Sequence, residues 1–171
     1  MQTQVERQPN AGATAAGAIA VIGAATLGGA WFFQYVLGIQ PCPMCLEQRY
    51  AYYLVIVLGV VLALSASRLP RALVIALLAV LALAAFGNSI FGAFHAGVEW
   101  GFWPGPATCS GPLPDFGKAG TLLDQLKTAK VVRCDEVQWR FLGLSLAGYN
   151  FLISGLMGLV ALFGINKLRA A

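Results

Sequence analysis

The sequence predicts an all-α membrane protein, an antiparallel four-transmembrane-helix bundle with one long loop outside the lipid. Three observations predict it. Of 171 residues, 58% are hydrophobic and only 11% charged, whereas a soluble domain carries ~25% charged residues. Mean hydropathy is +0.73. Four apolar runs, 14–37, 46–66, 72–94 and 141–165, are each long enough to cross a ~30 Å hydrocarbon core at ~1.5 Å per helical residue. These runs fill more than half the chain, so 1–171 reads as a single membrane domain.

Residues 1–13 are polar and alanine-rich and read as a short tail. The first run, 14–37, holds no charge and exceeds the ~7–15 apolar residues of a signal peptide, so it reads as a retained helix. The second begins within Gln40-Pro41-Cys42-Pro43-Met44-Cys45-Leu46-Glu47-Gln48-Arg49 and ends before the turn Ser67-Arg68-Leu69-Pro70-Arg71. The third carries Gly87, Asn88, Ser89 and Gly92 near its end, small or polar residues of the kind that let helices approach closely in lipid. The fourth is followed by Lys167 and Arg169.

The loop 95–140 opens on Trp103-Pro104-Gly105-Pro106 and continues through Pro112 and Pro114, a stiff non-helical path. Within it, 121–130 reads as a short amphipathic helix, with Leu122, Leu123 and Leu126 on one face. It lies either on the membrane surface or simply in solvent. Glu99 reads as a solvated rim residue. The net charge is +4, but the 11 Lys and Arg are scattered and form no clustered basic face, which argues against nucleic-acid binding.

Four spans put the first and third connections on the same side of the membrane. Cys42 and Cys45 sit in the first, Cys109 and Cys134 in the third, and the chain has no other cysteine. All four therefore face one compartment, as two structural bridges or as two pairs that exchange electrons. Disulfides persist on the oxidising side. Lys and Arg counts barely separate the two sides, so the cysteines decide the orientation.

In the C-x-x-C segment, Cys42 reads as the N-cap of a helix, Pro43 as its first residue and Cys45 as part of its first turn. The N-terminal N–H groups and helix dipole favour a thiolate there. Arg49, four residues after Cys45, adds a positive charge on the same face. A zinc ribbon needs a second close cysteine pair, which is absent, and Leu46 breaks the C-x-x-C-H haem pattern. From the pair alone, redox chemistry, a structural bridge and a metal half-site are the open readings; no metal is expected. Every Trp and Tyr (Trp31, Tyr35, Tyr50, Tyr52, Tyr53, Trp100, Trp103, Trp139 and Tyr149) falls at or near the cysteine side. They read either as anchors at one interface or as the wall of a site for a flat apolar ring.

Several segments together resemble the disulfide bond formation protein B (DsbB) family of bacterial inner-membrane thiol:quinone oxidoreductases. They are Gln40-Pro41-Cys42-Pro43-Met44-Cys45 with Gln48-Arg49, His95-Ala96-Gly97-Val98-Glu99, Trp103-Pro104-Gly105-Pro106-Ala107-Thr108-Cys109, and the run from Cys134 through Trp139-Arg140-Phe141 to Ser145. The resemblance covers about 14–166, and Gln48 departs from it, standing where some relatives have an acid.

It implies a relay. A soluble thioredoxin-like dithiol protein of the DsbA type attacks a Cys109–Cys134 disulfide at Cys109. Cys134 then attacks Cys42, and the Cys45 thiolate meets a bound quinone, ubiquinone or menaquinone. The implied site is Cys42, Cys45, Cys109 and Cys134 for catalysis, with Cys45, Arg49 and His95 beside the quinone. His95 also fits an interfacial histidine bonded to backbone. The implied location is the inner membrane, with the cysteines and the loop periplasmic and both termini cytoplasmic. Two other readings compete. A vitamin K epoxide reductase-type enzyme would carry its loop cysteines before the C-x-x-C rather than after it. A transporter would need more ionisable groups within its spans.

Overall fold

The computed structural model describes residues 8–110 and 132–170. Four long helices, α1 (Gln8–Tyr35), α2 (Pro43–Ser65), α3 (Arg71–Glu99) and α4 (Leu146–Ala170), form the bundle, and all four are long and apolar enough to cross a membrane. Each packs on its sequence neighbours, and α4 closes the ring against α1. The predicted loop helix at 121–130 lies outside the described residues.

The helix limits differ from the apolar runs for physical reasons. Helix α1 starts at Gln8, ahead of the hydropathy signal, because its alanines favour helix whether or not they are in lipid. Helix α3 continues five residues past 94, to Glu99. Its last turns bury His95, Ala96, Gly97 and Val98, so protein packing extends the helix where hydropathy stops. Helix α4 starts at Leu146 rather than 141 because 140–145 form a hairpin. Strands β1 (Arg140–Phe141) and β2 (Leu144–Ser145) pair Arg140 with Ser145 and Phe141 with Leu144. Leu142 (φ 49°) and Gly143 (φ 82°) make the two-residue turn, as tight hairpins require positive φ at both central positions.

Ile19, Leu62, Leu78, Leu81 and Met157 fill the bundle centre, while Leu64, Leu83 and Ile90 point outward. Lipid tails solvate outward leucines as well as a core does, so association rests on close packing of small residues. Gly92 meets this need: a Cβ there would lie 2.9 Å from Asn150 Nδ2 and from the Phe151 N. The Ser89 hydroxyl donates to the Phe151 carbonyl at 2.8 Å. Gly87, by contrast, faces open space. On the opposite seam a Cβ at Gly59 would lie 2.9 Å from the Ala16 carbonyl oxygen and 3.1 Å from Ala20 Cβ. Gly59→Leu is therefore expected to push α1 off α2 and cost ~1–3 kcal/mol. Thermal unfolding in detergent checks this; an unchanged midpoint would contradict the close α1–α2 contact.

Candidate active site: two cysteine pairs and an aromatic-walled cavity

Cys42 is the N-cap of α2, extended at φ −73° and ψ 167°, with Pro43 as the first helical residue. Its sulfur accepts from the Cys45 N–H at 3.2 Å and lies 2.7 Å from Cys45 Sγ. Both cysteines are free, whereas Cys109 and Cys134 are joined in a disulfide. The predicted N-cap arrangement is thus present, and it sets the two thiols of the first pair against each other without backbone movement.

The two pairs share one buried cluster. Cys42, Met44, Val98, Cys109 and Cys134 pack together, with Cys45, Phe91 and Val132 at its edge. The loop is pinned there by Trp103, whose indole lies over Gly97, where a Cβ would run into the ring. Trp103 Nε1 donates to the Phe94 carbonyl at 2.9 Å, and the ring stacks on Phe94 at 5.7 Å.

His95 is 1% exposed and sits between the pairs. Its Nε2 is 3.6 Å from Cys42 Sγ, and the Cys134 backbone is a further polar neighbour. Its Nδ1 is 3.2 Å from Gln48 Nε2. From there a buried polar chain runs into the bundle. Asn150 Nδ2 donates to Gln48 Oε1 at 2.9 Å, Asn150 Oδ1 accepts from Tyr52 and Asn88, and Ser154 joins all three. Among the described residues no buried side-chain polar atom lacks a partner. Cys42, Cys45 and His95 also bring three ligand atoms within 4.8 Å of one another, a thiolate–imidazole donor set one ligand short of a closed zinc site.

Beside Cys45 opens a cavity of about 380 Å³ between α1, α2 and α4. Cys45, Gln48, Arg49, Gly29, Trp139 and Tyr149 are on its wall. Trp139 packs on Phe33 at 4.8 Å, on Phe141 at 5.9 Å and on Tyr149 at 6.4 Å. Arg49 shares the wall with Cys45 as the spacing predicts, but its bonds go to α1: Nη1 to Gln34 Oε1 at 2.6 Å and Nη2 to the Ala30 carbonyl at 3.5 Å. His95 lies on the Cys42 side, behind Gln48, and is not among the lining residues. Glu99 is not the solvated rim residue expected. It is half-buried and accepts from the Ser145 hydroxyl, which itself accepts from the Gly148 N–H at 3.2 Å. The hairpin folding back onto the end of α3 makes this contact.

Tyr52, one of the aromatics expected to wall a ring site, does line the cavity. Gln48 enters the sequence reading only through the family pattern, and Gln34 and Asn150 are not singled out by it. The available signal was the presence of amide and hydroxyl side chains inside apolar spans, which lipid tolerates only when they are bonded.

The Cys42 thiol is pushed above the usual cysteine range, first by its hydrogen bond to Cys45 and then by burial. A group so raised stays protonated in the folded chain after the unfolded chain has begun to ionise at ~8.5. Alkylation of Cys42 in the reduced, folded protein is expected to lag that in the unfolded chain throughout pH ~7–9, since the thiolate is the reactive form. Peptide mass spectrometry of timed iodoacetamide samples measures it; equal rates would contradict the protected thiol.

A family model described as "Disulfide bond formation protein DsbB" matches residues 12–164. Curated relatives called Disulfide bond formation protein B are also similar. That of Polaromonas naphthalenivorans (strain CJ2) is 31% identical over 141 residues, 80% of this chain and 81% of the relative. That of Albidiferax ferrireducens is 33% identical over 137 residues, 77% and 74% respectively. That of Azoarcus sp. (strain BH72) is 35% identical over 147 residues, 82% and 84%. No solved structure matches the chain.

Proposed function

Because this chain belongs to the disulfide bond formation protein DsbB family, we propose that it is a protein-dithiol:quinone oxidoreductase of the bacterial inner membrane. It reoxidises a periplasmic thioredoxin-like dithiol protein of the DsbA type and delivers the electrons to ubiquinone or menaquinone. The cysteine face is periplasmic and both termini are cytoplasmic.

The observation that carries this reading is the double position of Cys45, at the edge of the cysteine cluster and on the cavity wall. Electrons arriving at the first pair reach the cavity without leaving α2. The cavity fits a flat apolar ring: Phe33, Trp139 and Phe141 give it aromatic surface, and Gln48, Arg49 and Asn150 give it a few polar groups. A bound quinone supplies a two-electron, two-proton acceptor.

The steps before it belong to this chain's sulfurs. A partner thiolate attacks Cys109 Sγ, breaks the Cys109–Cys134 bond and leaves the electron pair on Cys134. Cys134 attacks Cys42 of an oxidised first pair, forming Cys134–Cys42 and releasing Cys45 as thiolate at the cavity. The second thiol of the partner then resolves its bond to Cys109 and departs oxidised. Cys109 next attacks Cys134, restores the loop disulfide and frees Cys42. The loop pair ends oxidised and the first pair holds two more electrons. Arg49, anchored to α1 by Gln34, places a fixed positive charge beside Cys45 and the acceptor.

The test is direct. Purified protein in detergent, given a reduced thioredoxin-like dithiol protein and a soluble ubiquinone analogue, is expected to convert the quinone to quinol with one disulfide formed per quinol. Disulfide formation without quinol, or neither product, would overturn the proposal.

A further inference from the structure

We propose that Gln48 and Asn150 hold His95 as an N–H donor aimed at Cys42, so that His95 receives the Cys42 sulfur when it leaves Cys134. The inference rests on the relay reading above and adds a residue to its internal step.

It follows from the direction of the buried hydrogen bonds. Asn150 Oδ1 accepts from the Tyr52 hydroxyl and from Asn88 Nδ2, the latter at 3.2 Å. That turns Asn150 Nδ2 toward Gln48, where it donates to Oε1 at 2.9 Å. With its oxygen occupied, Gln48 presents Nε2 to the imidazole, and an amide nitrogen can only donate. His95 Nδ1, 3.2 Å away, is therefore the acceptor. A neutral imidazole that accepts at Nδ1 carries its proton on Nε2. That N–H lies 3.6 Å from Cys42 Sγ and is shared with the Cys134 backbone, so it sits between the two residues whose bond breaks. The chain of amides thus sets a tautomer, and the tautomer sets a donor at a reacting atom.

The step this serves is the transfer between the pairs, which leaves Cys109 and Cys134 joined and Cys42 and Cys45 free. In that transfer Cys109 attacks Cys134, the Cys134–Cys42 bond breaks and Cys42 leaves with the electron pair. The Cys45 N–H at 3.2 Å and the His95 N–H at 3.6 Å both point at the departing sulfur. Hydrogen bonds to a charged sulfur favour its departure in a site closed to water. The thiolate then takes up one of the two protons given up by the partner's dithiol and becomes the thiol that donates to Cys45. His95 contacts the reacting sulfur; Gln48 and Asn150 are positioning residues that act through it. The same proton opposes the use of Nε2 as a metal ligand, although the donor atoms are close enough.

The chain has a single histidine, so protein labelled with ¹⁵N-histidine gives one imidazole to read. In the wild-type protein with the first pair reduced, the nitrogen shifts are expected to show Nε2 protonated and Nδ1 bare. In Gln48→Leu they are expected to move toward a mixture of both tautomers. In kinetics at saturating quinone, His95→Leu is expected to slow partner-driven turnover about ten- to a hundredfold, the scale of one hydrogen bond to a charged group. The quinone KM is expected to stay where it was. His95→Gln, which keeps an N–H near the Nε2 position, should recover part of the rate. A wild-type imidazole protonated on Nδ1 would overturn the inference, as would a His95→Leu defect lying wholly in quinone KM. Failure of the wild-type protein to reduce quinone at all would instead remove the functional reading beneath it.

Discussion

Cys45→Ser is expected to abolish quinone reduction by every dithiol, while Cys109→Ser and Cys134→Ser abolish only oxidation of the protein partner. The difference follows from where the sulfurs sit. Cys45 is on the cavity wall, and Cys109 and Cys134 are in the buried cluster with Cys42 and away from that wall. With either loop cysteine replaced, a small dithiol such as dithiothreitol still reduces the first pair directly, so quinone consumption stays measurable. With Cys45 replaced, no sulfur remains at the acceptor, and turnover is expected to fall by about three powers of ten or more. Quinone absorbance followed with dithiothreitol and with the protein partner separates the cases. A loop variant as inactive with dithiothreitol as Cys45→Ser would show that the pairs do not act in series.

Gly29→Phe is expected to close the cavity without unfolding the bundle. A Cβ at Gly29 meets nothing within 4 Å, and the residue lines the cavity. A phenyl ring there would occupy space that the account assigns to the acceptor. The quinone KM is expected to rise tenfold or more, while thermal stability holds or improves, since glycine in a helix costs about 1 kcal/mol relative to alanine. Gly59→Leu provides the contrast, because its Cβ meets backbone and its cost is structural. An unchanged quinone KM in a well-folded Gly29→Phe protein would place the acceptor elsewhere.

What was legible in the sequence is what depends on local chemistry or on bulk polarity. The four spans followed from uninterrupted apolar runs. The Cys42 N-cap followed from proline at the next position, and Gly92 could be read as a close-packing residue because small side chains in lipid have few other uses. The rest depended on contacts between distant residues. Arg49 shares a helix face with Cys45, but only folding brings Gln34 of α1 to its guanidinium. Nothing local marks His95 as buried; that follows from α3 running on to Glu99 beneath the loop, a step that hydropathy cannot show. The hairpin at 140–145 was hidden because Phe141, Leu142 and Leu144 look like the start of a span. Its turn places a leucine at positive φ and leaves it 83% exposed. Gln48 looked like a lost acid, and its role depends on Asn150, 102 residues away.

Electrons are expected to cross from the loop pair to the first pair through a bond between Cys42 and Cys134, and that bond can be trapped. In a protein carrying both Cys45→Ser and Cys109→Ser, Cys42 and Cys134 are the two remaining cysteines. Mild oxidation in the membrane should join them within one chain. Mass spectrometry of non-reduced peptides is predicted to find the Cys42 and Cys134 peptides linked, in yield close to the amount of protein. Two free thiols after oxidation, or bonds formed only between separate chains, would contradict the account.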